Sequence, residues 1–473
     1  MSKTRIVATI GPASLSKEML SALSSAGMSI ARLNGSHADL DWHRNAIAMI
    51  RQVLPDVPIL LDIPGRKIRT GQLQVEPSFK RGDEIVLTTE QDSGDPDKVV
   101  VNYPDLHSDL KAGNVLLADD GTLRFTVVSI TGHDITIRAD VDGQLRSRKG
   151  INVPFVQLKT PQVTSRDENM IAFAREHKVD FIGLSFVESS DDIRAFQKLI
   201  GGSFPRIVAK VENQGGLDNV AEIAAVADAI MVDRGDLSVE TSLHDVALRQ
   251  KEIIQAANVF GRPVIVATEM LHTMIDNSFP TKAEVSDITN AVLDGGAATM
   301  LSGETAVGQF PIEAVEMMHQ VTRSTDEFVL ARNAATTTEL GESVPEVMSN
   351  VIPQLCHSLN IDKIVAITRS GFAARIISVH RPKAPILAVS DDAESARSFN
   401  LYPGTTGIVS ETPFPRESGD HIPSVLQQLW KEGHLKESDL VLVVGVSYPG
   451  KGSRMNTIQV HKIGDMVVNL SWS

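Results

Sequence analysis

The sequence predicts an α/β protein: a (β/α)8 (TIM) barrel with an inserted small β-barrel lid domain and a C-terminal α/β domain. Eight short, nearly all-apolar runs of strand length recur over the first 330 residues, and helix-length amphipathic segments separate most of them. Between the third run and the fourth, residues 71–162 show a different, alternating pattern. Strands separated by helices indicate βαβ units, and eight such units are typical of a closed barrel.

The barrel strands are predicted at 5–11, 28–34, 58–63, 180–186, 206–213, 229–236, 263–269 and 298–304. Their continuous apolar character is expected of strands that are covered on both faces. Helices are predicted at 14–25, 39–53, 167–178, 191–200, 243–260, 281–293 and 312–329, and Ser14, Asp39 and Ser242 are the predicted capping residues. An open, doubly wound sheet remains the alternative that the same pattern allows.

The segment 71–162 alternates apolar and polar residues in short stretches such as EIVLTTE and DITIRADV, with turn pairs such as Asp142–Gly143. It predicts an antiparallel β domain that is inserted in a βα loop and acts as a mobile lid. A linker-like run, ATTTELGES, precedes four further strands at 363–368, 385–390, 440–445 and 457–463. We therefore expect a barrel domain (1–70 and 163–335), a lid (71–162) and a C-terminal α/β regulatory domain (336–473).

Composition excludes several classes of protein. Of 473 residues, 42% are hydrophobic and 22% charged, which is the usual globular balance, and the net charge of −14 argues against binding to nucleic acid or anionic lipid. The single cysteine, Cys356, excludes an internal disulfide framework and fits a reducing cytoplasm. We see no signal-peptide pattern and no apolar run near the ~20 residues that a membrane span needs. We expect a soluble cytoplasmic enzyme.

Polar and charged side chains follow most of the predicted barrel strands, at the face where barrel enzymes place their catalytic groups. They are Arg32, Asn34, Ser36, His37, Asp62, Lys67, Arg69, Lys210, Glu212, Asp233, Arg234, Asp236, Thr268, Glu269, Ser302 and Glu304, and Gly235 lies between Arg234 and Asp236. Glu212 and Asp236 suit a hard divalent cation such as Mg²⁺ or Mn²⁺. Arg32, Lys210 and Arg69 supply the positive charge that binds phosphate.

This combination of a metal site, arginine and lysine is typical of sites that catalyse phosphoryl transfer. Each residue alone has a simpler interpretation, because strand-end charges often form surface ion pairs and strand-end hydroxyls often cap helices. Only their convergence favours catalysis, and spacing alone does not identify the substrate.

Several stretches resemble the pyruvate kinase family over essentially the whole chain. The most specific is PTKAEVSDITNAVLDGGAATMLSGETAVGQFPIEAV (280–315), and TRIVATIGPAS, ARLNGSH, KVEN, DRGDL, VIVATEML, RKGINVP (148–154), TRSGFAARIISVHRPKAPILAV and NTIQV also match. The resemblance implies transfer of the phosphoryl group of phosphoenolpyruvate to ADP, giving pyruvate and ATP in glycolysis, with a divalent metal. It also implies a homotetramer and allosteric control by a phosphorylated effector.

The resemblance assigns roles to individual residues. Glu212 and Asp236 match the metal ligands, Lys210 and Arg32 match the residues that bind the transferred phosphate, and the backbone at Gly235 and Asp236 matches the site of the substrate carboxylate. Thr268 matches the threonine near the enolate carbon, and Ser302 with Glu304 matches a proton relay. The nucleotide-binding positions are Asn34, His37, Arg69, Asp120 and Lys149, and the effector loop is Thr368, Arg369, Ser370 and Gly371.

The sequence also departs from the family's pattern. Lys67 stands where most members have a glutamate that helps to hold K⁺ with Asn34, Ser36, Asp62 and Ile63, and an ammonium there predicts that K⁺ is not required. Gly35 replaces a larger residue, which predicts a looser loop. Asp233 replaces alanine, Ser238 replaces glycine and Glu188 replaces arginine. The two added carboxylates predict weaker binding of phosphoenolpyruvate unless they are paired or point away.

Three other functions remain open at this stage. The departures at Gly35, Asp233 and Glu188 allow a paralogue that uses the same chemistry on another enol phosphate or acceptor. A non-catalytic or catalytically weak metabolite sensor is a second possibility, although it would not need Lys210. A lyase or aldolase with a Schiff-base lysine is the third, but Glu212 beside Lys210 favours a charged lysine over a neutral amine.

Overall fold

A closed parallel barrel forms the body of the protein. The computed structural model describes residues 3–65, 67–91, 94–119, 121–154, 156, 158, 163–333, 343–414, 419–447 and 454–472. In chain order the barrel contributes β1 (Arg5–Thr9), β2 (Ile30–Asn34) and β3 (Ile59–Ile63), and the lid contributes β4 (Ile68–Arg69), β5 (Ser78–Phe79), β6 (Glu84–Thr88), β7 (Lys98–Val100), β8 (Val115–Ala118), β9 (Leu123–Thr131), β10 (Asp134–Ala139), β11 (Gly143–Gln144) and β12 (Gly150–Asn152). The barrel resumes with β13 (Phe181–Leu184), β14 (Arg206–Val211), β15 (Ala229–Asp233), β16 (Val264–Ala267) and β17 (Ala298–Leu301).

The barrel strands follow the order β1-β17-β16-β15-β14-β13-β3-β2 and close on themselves, so the predicted barrel is confirmed and the open sheet is wrong. All eight predicted strands are present, shortened at their polar ends. The interior is filled by side chains such as Phe181, Met231 and Met300. A second apolar layer lies between the strands and the surrounding helices.

Capping residues begin several helices. The barrel and the lid contain α1 (Lys17–Ala26), α2 (Leu40–Val53), α3 (Leu106–Asp109), α4 (Ser165–Glu176), α5 (Ser190–Ile200), α6 (Gln214–Asp218), α7 (Val220–Val226), α8 (Arg234–Glu240), α9 (Val246–Val259), α10 (Lys282–Leu293), α11 (Gly303–Ala306) and α12 (Pro311–Asn333). Capping boxes begin α4, α5 and α10. Asp39 caps α2 as predicted, but Ser16 rather than Ser14 caps α1, because the Ser14 hydroxyl bonds with the Gly11 backbone. Ser242 does not cap an α-helix, because the 3-10 turn Leu243–Asp245 follows it and α9 begins only at Val246.

The lid is a small closed β structure. Its main sheet has the order β4-β12-β8-β9-β10-β6-β7, and β5 pairs with β11. The edge strands β4 and β7 meet through a bridge between Thr70 and Val101, flanked by hydrogen bonds from the Gly71 amide to Val100 and from the Asn102 amide to Arg69. The lid sheet begins at Ile68, slightly before the predicted boundary at 70/71, because β4 pairs with β12.

The C-terminal domain is a five-stranded sheet with helices on both faces. Its strands are β18 (Lys363–Ile367), β19 (Ile386–Ser390), β20 (Thr405–Val409), β21 (Leu440–Gly445) and β22 (Thr457–Lys462), in the order β20-β19-β18-β21-β22. Its helices are α13 (Val344–Ser358), α14 (Phe372–Val379), α15 (Ala393–Ser398), α16 (His421–Lys431) and α17 (Ile463–Asn469). The edge strand β20 was not predicted, because TTGIV is short and only weakly apolar.

The C-terminal domain packs against the amino-terminal ends of the barrel strands. Leu401, in the 3-10 turn Phe399–Leu401, joins the cluster of side chains that fills the barrel interior. Arg381 forms a buried ion pair with Asp326 of α12 at 2.6 Å. Because this contact lies at the amino-terminal end of the barrel, the opposite face stays open toward the lid. Among the described residues, no helix is both long enough and apolar enough to cross a membrane.

Candidate active site

Lys210 and Glu212 project from the end of β14 into the carboxyl-terminal face of the barrel. Nζ of Lys210 lies 2.7 Å from Oε1 of Glu212, 3.1 Å from Oδ2 of Asp233 and 3.7 Å from Oδ2 of Asp62. Burial lowers the pKa of Lys210, but the three carboxylates raise it by more, so the net pKa lies well above its ordinary value. Lys210 is therefore a buried cation and not the neutral amine that a Schiff-base mechanism needs.

The pKa values of Glu212 and Asp233 shift in opposite directions although both side chains touch Lys210. Burial raises the pKa of Glu212 to about 8, with further upward contributions from Asp233 and Asp236. Burial also acts to raise the pKa of Asp233, but Lys210 and other cations lower it to about 2. One shared ammonium cannot compensate several buried carboxylates, so burial outweighs the lowering effect of Lys210 at Glu212, whereas the cations outweigh burial at Asp233.

Arg32 is held rigidly on the neighbouring strand β2. Its Nε and Nη2 donate to Oδ2 of Asp62 at 2.9 and 2.7 Å, and its Nη1 donates to the Thr9 hydroxyl at 2.9 Å. Arg32 is 6% exposed and Asp62 is 3% exposed, so both are removed from water. The guanidinium is thus fixed beside Lys210, where two cations can bind one phosphate group.

The start of α8 brings Gly235 and Asp236 to the same face. The Gly235 amide donates to the Thr268 hydroxyl at 2.8 Å, and Oδ1 of Asp236 accepts from Nζ of Lys67 at 2.5 Å. Arg234 turns away from the site, since it pairs with Asp287 at 2.6 Å. Thr268 adopts a positive φ of 67°, a backbone strain that residues at functional sites often carry.

Ser302 and Glu304 lie just beyond β17. Oε2 of Glu304 accepts from the Ser302 amide at 2.7 Å, and Oε1 accepts from the Leu271 amide at 3.1 Å. The Ser302 hydroxyl is buried and has no hydrogen-bond partner among the described residues. Glu304 therefore orients the turn that carries Ser302.

Carboxylate oxygens of Glu212, Asp233 and Asp236 all lie within 4.8 Å of one another. The donors are hard oxygens without a histidine or cysteine, which is the chemistry that Mg²⁺ and Mn²⁺ prefer. The site thus fits the divalent cation expected at Glu212 and Asp236, and it brings in Asp233 as well.

Comparison with protein families matches residues 1–315 to the description "Pyruvate kinase, barrel domain" and residues 346–461 to "Pyruvate kinase, alpha/beta domain". The chain belongs to the pyruvate kinase family. Curated pyruvate kinases of Bacillus licheniformis and Geobacillus stearothermophilus are 36% identical to it over 480 and 477 residues, which is 99% and 98% of this chain and 81% of each relative. The pyruvate kinase of Staphylococcus aureus (strain USA300) is 36% identical over 483 residues, 99% of this chain and 82% of the relative. As a member of this family, the chain is a phosphotransferase.

Of the nucleotide positions that the pyruvate kinase resemblance implied, Asn34 ends β2, His37 follows it, Arg69 lies in β4 and Lys149 precedes β12. Burial, and then the guanidinium groups of Arg69 and Arg32, lower the pKa of His37, so His37 is neutral at physiological pH. Nη1 of Arg69 donates to the Arg148 carbonyl at 3.2 Å, and Lys149 pairs with Asp119 at 2.6 Å. Asp120 lies outside the described residues.

The loop that the resemblance assigned to K⁺ is already internally bonded. Oδ1 of Asn34 accepts from the Ser36 amide at 3.1 Å, and the Ile63 carbonyl accepts from Ser185 at 3.0 Å. Lys67 contacts Asp236, and its pKa is raised because Asp236 and then Glu212 and Asp233 outweigh the effect of burial. The ammonium of Lys67 thus joins the anionic cluster at the metal position.

Gly35 does not loosen its loop, contrary to the prediction. A Cβ at this position would lie 2.4 Å from the Asp62 carbonyl oxygen and 2.6 Å from the Met170 methyl group. The Gly35 amide also donates to that carbonyl at 2.9 Å. Glycine is required here by close backbone contact.

The other departures are accommodated by partners. Asp233 pairs with Lys210, one of the two possibilities considered for it, and Oε1 of Glu188 accepts from the Asn213 side chain at 2.8 Å. The Ser238 hydroxyl donates to the Gly235 carbonyl at 2.9 Å. Asp233 is inside the catalytic cluster, whereas Glu188 faces a small cavity between barrel and lid.

The effector loop of the pyruvate kinase resemblance lies between β18 and α14. The Gly371 amide donates to the Thr368 hydroxyl at 3.1 Å, and Gly371 has a φ of 80°. Arg369 pairs with Asp391 at 2.7 Å, and Arg369 and Ser370 line a cleft of about 810 Å³ between this domain and the barrel. In this conformation the Arg369 guanidinium is bound to a carboxylate.

Four residues that make polar contacts in or near the site were not identified from the sequence. Thr9 holds Arg32, and Ser185 accepts from Nζ of Lys210 at 3.3 Å. Asn152 of the lid donates to Oε1 of Glu240, at the end of α8, at 2.7 Å. Thr9 and Ser185 end or follow barrel strands, so the strand-end criterion could have found them; the Asn152–Glu240 contact joins two domains and has no local signal.

Proposed function

We propose that this protein transfers the phosphoryl group of phosphoenolpyruvate to ADP, yielding pyruvate and ATP in glycolysis. The convergence of Lys210, Arg32 and the carboxylates of Glu212 and Asp236 at one barrel face carries this proposal. The reaction breaks the bond between the enol oxygen and phosphorus, and an oxygen of the ADP β-phosphate forms the new bond. The enolate that is released takes a proton at its terminal carbon.

Lys210 and Arg32 stabilise the phosphoryl group in flight. Both cations are buried and already held by carboxylates, so little reorganisation accompanies the charge that develops on the equatorial oxygens. Glu212 and Asp236 would hold a divalent cation, which when bound supplies charge neutralisation to the phosphate and carboxylate oxygens. The Gly235 and Asp236 amides bind the substrate carboxylate once the substrate displaces the Thr268 hydroxyl from Gly235.

Thr268 and Ser302 provide the hydroxyl groups for protonation of the enolate. Thr268 donates to the Ala267 carbonyl at 2.6 Å and lies beside Gly235, which places it next to the bound carboxylate. Ser302 is oriented by Glu304.

A coupled assay with phosphoenolpyruvate, ADP and Mg²⁺ tests this function. Lys210→Met should lower kcat by at least about 10²–10³-fold, the effect of removing one preorganised charge-stabilising donor. Lys251→Met is the matched control, since Lys251 pairs with Asp294 on the outer surface of the barrel. Absence of turnover in the folded wild-type protein would contradict the proposal.

Asp233 favours a second candidate, the same phosphoryl transfer on a different enol phosphate or acceptor, because it adds a carboxylate to the substrate site. The assay separates the two when other enol phosphates are offered: a higher kcat/KM for one of them than for phosphoenolpyruvate would support the second candidate. A catalytically weak sensor predicts no turnover with any of them.

We also propose that activity does not depend on K⁺. The Lys67 ammonium lies 2.5 Å from Asp236 and supplies a positive charge from within the chain. Initial rates should be equal, within about twofold, in K⁺ and in a tetraalkylammonium salt at constant ionic strength. Strong activation by K⁺ would refute this.

The remaining assignments are proposals that the resemblance supports. Asn34, His37, Arg69, Asp120 and Lys149 bind the nucleotide. Residues 368–371 bind a phosphorylated effector, for which a sugar phosphate and a nucleotide are both suitable. We further propose a cytoplasmic homotetramer that binds neither nucleic acid nor membrane.

A further inference from the structure

Asp233 is a buried carboxylate at the centre of the site, and the reaction steps above give it no role. Its side chain is 7% exposed, and Oδ2 lies 3.1 Å from Nζ of Lys210. Oδ1 points elsewhere: it lies 3.7 Å from the position that a Cβ on Gly235 would take. The two oxygens of Asp233 can therefore serve two different partners.

The position of Asp233 relative to the other carboxylates matches one metal ion. Oxygens of Glu212, Asp233 and Asp236 lie within 4.8 Å of one another. In an octahedral site with metal–oxygen distances of about 2.1 Å, ligand oxygens lie about 3 to 4.2 Å apart. Side-chain movements of about 1 Å would thus bring all three into one coordination sphere.

The net charge of the cluster also favours a bound cation. Metal ligation requires Glu212 to be ionised. Three cations then face four carboxylates, a net charge of 3 − 4 = −1, in the set Arg32, Lys67, Lys210, Asp62, Glu212, Asp233 and Asp236. A bound divalent cation changes this net charge from −1 to +1, which favours binding of an anionic phosphate. Without Asp233 the cluster would be neutral.

We propose that Asp233 is a third carboxylate ligand of the divalent cation and that its other oxygen stays on Lys210. This inference rests on the proposed function, which assigns the cation to Glu212 and Asp236. Bridging by Asp233 keeps the Lys210 ammonium in place while Glu212 turns to the metal.

Binding of Mn²⁺ alone to the full-length protein, without substrates, tests the inference. Three carboxylate ligands leave three of six positions for water, and two leave four. Broadening of the Mn²⁺ electron paramagnetic resonance signal in ¹⁷O-labelled water counts these waters. We expect three in the wild type and four in Asp233→Ala, with Mn²⁺ affinity at least tenfold weaker in the variant. Asp233→Asn preserves the side-chain volume and should bind Mn²⁺ with intermediate affinity.

Glu240→Gln is the matched control, because it removes a nearby buried carboxylate that lies outside the three-carboxylate set. Its water count should equal that of the wild type. Equal water counts in wild type, Asp233→Ala and Asp233→Asn would overturn the inference even if affinity fell, since a through-space charge effect frees no coordination position. If the wild type turns over and binds Mn²⁺, equal water counts overturn only this inference and leave the proposed function unaffected. If the wild type does not bind Mn²⁺, both the inference and the proposed function are overturned.

Discussion

At the scale of single residues, the site is a set of buried charges that hold each other in place. Asp62 is the centre of this set, because one of its oxygens accepts two hydrogen bonds from Arg32 and lies 3.7 Å from Lys210. Buried ions of this kind are favourable only when every partner is present. Residues that touch no substrate, such as Thr9, can therefore control the reaction.

Thr9→Val should lower kcat/KM for phosphoenolpyruvate about tenfold or more, because a hydrogen bond to a charged group contributes about 1.5–3 kcal/mol. Thr9 accepts from Nη1 of Arg32 at 2.9 Å, and valine leaves that donor buried without its acceptor. Thr9→Ser keeps the hydroxyl and should recover most of the activity. Steady-state kinetics measures both; equal kcat/KM for the two variants would show that the contact does not position Arg32.

At the scale of elements, α8 connects the catalytic residues with the lid. Lys67, just before lid strand β4, binds Asp236 in its first turn, and Asn152 of β12 binds Glu240 at its end. Burial, and then Asp236 and Glu188, raise the pKa of Glu240 to about 7, although Asn152 and Lys67 act in the opposite direction. Two polar contacts thus join the lid to α8, one at each end of the helix.

Glu240 makes stability fall as pH rises. Its pKa moves from 4.5 in the unfolded chain to about 7, so the folded state binds more protons between these values. Ionisation of Glu240 therefore lowers the free energy of unfolding by at most about 3 kcal/mol above pH 7 and leaves it unchanged below pH 4.5. Glu240→Gln should match the wild type in unfolding free energy near pH 4.5 and exceed it at pH 8. Urea denaturation at both pH values, with the exposed Glu327→Gln as control, tests this; a pH-independent difference would contradict it.

At the scale of the whole molecule, the C-terminal domain closes the end of the barrel that the site does not use. Leu401 is 2% exposed and packs with the side chains that fill the barrel interior. Arg381 and Asp326 add a buried ion pair to the same interface. The C-terminal domain therefore packs against the amino-terminal end of the barrel, and the lid lies at its carboxyl-terminal face.

Leu401→Ala should destabilise the protein by about 2–5 kcal/mol, because it leaves a cavity under the barrel. At temperatures well below unfolding, kcat should stay within about twofold of the wild type, since the catalytic face lies at the other end. Leu248→Ala is the control, because Leu248 is 57% exposed on α9. Differential scanning calorimetry and the coupled assay measure both effects; a large fall in kcat with unchanged stability would contradict this account.

Much of this architecture could be predicted from the sequence. Apolar runs of strand length located all eight barrel strands, and the residues at their ends supplied Arg32, Lys210, Glu212 and Asp236, because strand periodicity and helix caps are local properties. The weak strand β20 and the capping role of Ser16 escaped prediction, since neighbouring residues allow several local solutions.

Contacts between distant segments were decided only by the tertiary structure. The sequence left open whether Asp233 is paired or points away, and it predicted a flexible loop at Gly35. The barrel brings Asp233 to Lys210, sends Arg234 to Asp287 and places the Asp62 carbonyl where a Gly35 side chain would be. Pairing between charges depends on distances in space, which residue spacing along the chain does not contain. The sequence by itself determined the fold and the catalytic residue types, and packing determined which charges face each other.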